Sequence, residues 1–75
     1  MAETAGQELK KLMAIAQDMD LSAGMRTQAI ADIAKAGSHQ ALLALLEVAA
    51  DKRAAYEERD LALAHARELI KLPVK

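Results

Sequence analysis

The residues best suited to chemistry in this chain are Asp18, Asp20 and Ser22 at alternating positions, and His65 and Glu68 one helical turn apart. Oxygen ligands at the first, third and fifth positions open a calcium loop of the EF-hand type. That loop also needs glycine at its sixth position and a bidentate glutamate at its twelfth. Ala23 and Ala29 occupy those positions, and alanine supplies neither the turn nor the ligand. Asp18, Asp20 and Ser22 are therefore expected to cap helices rather than hold a cation.

His65 and Glu68 could chelate a metal or share a proton, but a metal site among helices needs further ligands. The only other histidine, His39, directly follows Ser38 and reads as an ordinary first-turn residue. A solvent-facing role is expected for His65. Neither Ser22 nor Ser38 stands in a glycine-framed nucleophile elbow, and cysteine is absent. The sequence thus predicts no catalytic residue, metal site or cofactor, and a protein that is not an enzyme.

Composition constrains the elements that would position any site. The 75 residues are expected to form one helical domain over 1–75, with a core that leaves only a small stability margin. The apolar share of 53% comes mainly from alanine and leucine, and Tyr56 is the only aromatic side chain. That mixture favours helices over strands. Ten basic and eleven acidic residues give a net charge of -1, which supplies no positive field for nucleic acid or anionic lipid. The lack of cysteine excludes a disulfide framework and points to a reducing cytoplasm. No apolar run approaches the roughly 20 residues of a membrane span, and no signal peptide is expected.

Four helices follow from caps and spacing. Thr4 and Gln7 have the form of a capping box for a helix over 5–19 carrying Leu9, Leu12, Met13, Ala16 and Met19. Asp20 or Ser22 caps a second helix over 23–36, with Met25, Ala29, Ile30, Ile33 and Ala34 on its inner side. Gly37 ends it, and Ser38 caps a third over 39–50. Leu42, Leu45, Leu46 and Ala49 form the third helix's inner stripe, with Leu43 and Val48 on its flanks. An apolar surface that wide implies a helix sandwiched between neighbours or held by a partner. Leu63, Ala66, Leu69 and Ile70 mark a fourth helix over 55–71, and Pro73 stops the chain.

The join between the third and fourth helices is ambiguous, because 49–59 contains neither glycine nor proline. One long helix would place Leu42, Ala49, Tyr56, Leu63 and Ile70 seven apart on a single seam. Its companion seam would carry Lys52 and Arg59 between Leu45 and Ala66, which burdens the interface with two charges. A bend near 51–55 is therefore expected. The predicted fold is all-α, with four short antiparallel helices arranged as stacked hairpins or as a small four-helix bundle.

A shift of 33 positions places Arg26 on Arg59, Ala29 on Ala62, Ile30 on Leu63 and Ala36 on Leu69. The first copy joins Arg26, Ala29, Ile33, Ala34 and Gly37 to the run from Ala41 to Leu46. This pattern resembles the short bacterial HEAT-like repeat over about residues 21–71. The second copy departs from it, with Ala66 at a position for a large aliphatic residue and no closing glycine. The resemblance implies stacked hairpins, a protein-interaction function, and a structural role for Arg26 and Arg59 in bracing adjacent hairpins. Two hairpins leave open faces, to be covered by the first helix, by a second copy or by further chain.

The expected contact residues are Leu43, Leu46, the adaptable Met13, Met19 and Met25, and Arg53 and Arg59. The charged segment from Asp51 to Asp60 reads as a solvated face, with Arg53 and Glu57 four apart. The function expected is a noncatalytic interaction or scaffold module that binds another protein or itself. The alternative is a small regulatory subunit of an enzyme or nucleic-acid-handling complex that makes contact through its charged fourth helix, which requires Arg53, Arg59 and Arg67 to cluster on one exposed face.

Overall fold

The computed structural model describes residues 2–71, and side chains from residue 7 onward. Four helices follow one another: α1 Ala2–Ala16, α2 Ala23–Ala36, α3 His39–Ala50 and α4 Tyr56–Ile70. Because α1 begins at Ala2, Thr4 lies inside the helix and is not its N-cap. Pro73 lies outside the described residues.

Local hydrogen bonds explain the connections. α1 ends at Ala16 and not at Met19, because the Asp18 carboxylate accepts the Asp20 N–H at 3.0 Å and turns the chain. Ser22 then caps α2 by accepting the Met25 N–H at 3.2 Å. Gly37 takes the left-handed conformation (φ 63°) and its N–H reaches the Ala34 carbonyl. Ser38 caps α3 through the Ala41 N–H at 3.1 Å.

The bend between α3 and α4 is built without glycine or proline. One Asp51 oxygen accepts both the backbone N–H and the Nε of Arg53 at 3.0 Å, and the other accepts its Nη2 at 2.9 Å. This arrangement replaces the expected Arg53–Glu57 pairing, since Arg53 precedes α4 and folds back on Asp51. Ala54 is buried beneath the turn.

Three reversals leave α1 parallel to α3 and α2 parallel to α4. α2 is central and packs on the other three helices, whereas α1 and α4 do not pack on each other among the described residues. A closed up-and-down bundle would bring its first and last helices together, so the architecture is an open stack of two hairpins. Its extents of 37 × 34 × 17 Å match two helix layers in the short direction.

Ile30 and Ile33 of α2, Leu45 and Val48 of α3, and Ala62 and Ala66 of α4 form the buried centre. The stripes are rotated from the expected ones. α3 buries Ala41, Ala44, Leu45 and Val48, leaving Leu46 39% exposed, because its small alanines allow close helix approach. α4 buries Glu58, Ala62 and Ala66, which turns Leu63 and Ile70 outward at 40% and 42% exposure. Met25, expected on the inner side of α2, is likewise exposed.

Candidate functional site

The parallel pair α1 and α3 is separated by an open groove of about 550 Å³. Leu9, Met13 and Ala14 line it from α1, and Leu43 and Ala44 from α3. Lys10, Gln17, Gln40 and Glu47 complete the lining. Parallel helices place Lys10 and Gln40 toward one end, Gln17 and Glu47 toward the other. The result is an apolar channel with a cation at one end and an anion at the other. Seven helical residues rise about 10 Å, so the lined length accommodates about two helical turns.

Leu43 is the most exposed of the large apolar residues lining it, at 52%. It lies one residue from buried Ala44 on a helix whose opposite side is buried in the core. Met13 brings an adaptable thioether to the facing wall. Of the expected contact residues, Met13 and Leu43 alone line this groove. Leu46, Met19 and Met25 lie outside it, with Met19 half-buried in the connection between α1 and α2.

The expected basic contacts are committed locally. Arg59 directs its Nε to the Ala49 carbonyl at 2.8 Å and so holds the end of α3 against α4. Arg53 forms its ion pair with Asp51, whose pKa is lowered below the ordinary carboxylate value chiefly by hydrogen bonding from the Arg53 side chain. Arg67 is exposed on α4. The three arginines consequently do not make a single unengaged cationic face.

The segment from Asp51 to Asp60 is not the uniformly solvated face that its composition suggests. Glu58 is 2% exposed and pairs with Arg26, whose Nε lies 3.1 Å from each carboxylate oxygen and whose Nη2 lies 2.8 Å from Oε2. Arg26 Nη1 also donates to the carbonyls of Leu21 and Met19. One guanidinium therefore joins α2, α4 and the α1–α2 turn, and the bond to Glu58 raises its pKa further. The signal for this burial was the spacing of Glu58, Ala62 and Ala66, which puts the glutamate on α4's small-residue stripe.

His65 is half-buried and both Glu68 and His39 are exposed. Among the described residues no three histidine, cysteine or carboxylate side chains gather as a metal site. No described helix is long and apolar enough to cross a membrane. Comparison with family models, curated proteins and solved structures finds no match for this chain.

Proposed function

We propose that this protein is a noncatalytic interaction module, a minimal HEAT-like hairpin stack whose α1–α3 groove receives an amphipathic helix of another protein. The observation that supports this reading is the exposure of Leu43 over a preformed apolar channel. A docked helix of two or more turns would present apolar anchors three, four and seven residues apart. An acidic residue on that helix would face Lys10, and a basic one seven positions away would face Glu47.

The HEAT-like reading draws support from the two repeat-related arginines. Arg26 reaches from the first copy to Glu58 in the second, while Arg59 secures the end of α3. Arg26 thus ties one hairpin to the other and Arg59 ties the two helices of the second hairpin, so each is engaged within the fold rather than left open for a ligand. We assign the module to the reducing cytoplasm, where a chain without cysteine loses no crosslink.

A synthetic amphipathic helix with this anchor and charge pattern tests the proposal by NMR titration. Shifts should concentrate on Met13, Ala14, Leu43 and Ala44, and Leu43→Glu should weaken binding about tenfold or more while the protein stays folded. Shifts spread evenly over the surface, or unchanged affinity in Leu43→Glu, would refute the groove as the binding site.

A further inference from the structure

The outward face of α4 carries a second pattern, distinct from the groove. Tyr56, Leu63 and Ile70 recur every seven residues and are 80%, 40% and 42% exposed. Asp60 and Arg67 interleave them within the same narrow arc, both solvent-exposed, and neither belongs to an ion pair among the described residues. Glu57 extends the acidic end and Lys71 the basic end. Glu68 lies about 100° around the helix from Arg67, away from this edge.

The helix macrodipole by itself favours acids in the first turn and bases in the last. It makes no demand for three aliphatic or aromatic side chains in water on the same stripe. Both features are accounted for together by an antiparallel copy of the same helix. With Leu63 on the twofold axis, Tyr56 meets Ile70 of the second copy, and Asp60 comes opposite Arg67. Glu57 comes opposite Lys71 at the periphery. Every contact except that of Leu63 with its own copy then occurs twice, as an isologous interface requires.

We infer that this protein self-associates through the outer face of α4, as a twofold antiparallel helix pair with reciprocal Asp60–Arg67 contacts. A pair of four-turn helices is small beside the roughly 1,200 Å² of a standard stable interface, so the dimer forms weakly and depends on concentration. The α1–α3 groove lies outside this contact.

Sedimentation equilibrium and charge exchange test the inference. The wild-type mass should rise from the single-chain 8.1 kDa toward twice that value as concentration increases. Asp60→Arg and Arg67→Asp should each weaken self-association about tenfold or more, since each creates two like-charge encounters. An equimolar mixture of the two variants should associate as a heterodimer, because the first then offers only bases and the second only acids at these positions. Circular dichroism should show both variants folded, and Leu43→Glu should dimerise like wild type. A wild-type chain monomeric up to its solubility limit would overturn the inference. So would a mixture that associates no better than either variant, or loss of the dimer in Leu43→Glu, which would place the contact in the groove.

Discussion

The guanidinium of Arg26 on α2 grips the carboxylate of Glu58 on α4 across 32 positions of sequence, with its Nη2 2.8 Å from Oε2. Glu58 is 2% exposed on its side chain and Arg26 12%. Such a pair stabilises little relative to a well-packed apolar substitute, yet breaking it leaves a charge without its partner in a dry setting. Its role is to fix how the second hairpin sits on the first.

Glu58→Ala should therefore lower stability by about 3 kcal/mol, a large part of the margin of a 75-residue domain. The double variant Arg26→Met with Glu58→Leu should regain much of that loss. Urea unfolding monitored by circular dichroism measures both. A double variant less stable than Glu58→Ala would contradict this account.

The two faces of α3 should respond differently to truncation. Leu45 is 0% exposed and Leu43 is 52% exposed. Leu45→Ala should cost about 3 kcal/mol through lost burial and the cavity left behind. Leu43→Ala should cost less than about 1 kcal/mol, because much of that side chain already meets water. Equal losses in thermal or urea unfolding would mean that Leu43 is part of the core.

Glycine replacement should change sign between two positions. A Cβ at Gly24, in the first turn of α2, would meet nothing closer than the Ser22 hydroxyl at 3.9 Å. Gly24→Ala should stabilise by about 0.5–1 kcal/mol. Gly37 has φ +63°, so Gly37→Ala should destabilise by about 1 kcal/mol. Melting temperatures that move in the same direction for both would be inconsistent with these conformations.

Asp51 should contribute to acid sensitivity. Hydrogen bonding from Arg53 lowers its folded-state pKa below 3.8, so its stabilisation is present above that value and fades as pH falls through the folded pKa. Asp51→Asn should flatten the fall in stability below about pH 4, with a smaller effect at neutral pH than Glu58→Ala because Arg53 remains largely solvated. Urea midpoints at a series of pH values provide the check. An unchanged acid limb in the variant would exclude Asp51 as a contributor.

Helix type and most boundaries were legible in the sequence because local chemistry determines them. Ser22, Gly37 and Ser38 act through backbone groups only a few residues away, and alanine and leucine favour helix wherever they are packed. The bend at Asp51 was less legible, because it depends on one carboxylate collecting three donors from Arg53 and not on a helix-breaking residue. Leu43 was recognisable as an apolar flank. Its exposure required the position of α1, which no neighbour in sequence specifies.

Which face of each helix points inward was decided only by the tertiary structure. Leu63 and Ile70 have greater apolar surface than Ala62 and Ala66, and side-chain character alone would bury the larger pair. Close approach of α2 and α4 instead places the small alanines inside and tethers Glu58 to Arg26, sending the aliphatic residues outward. The sequence by itself determined four helices and the caps at Ser22, Gly37 and Ser38, since those depend on contacts within a turn or two. The open stack, the α1–α3 groove and the exposed α4 stripe depend on which helices meet, and that choice belongs to packing between residues far apart in the chain.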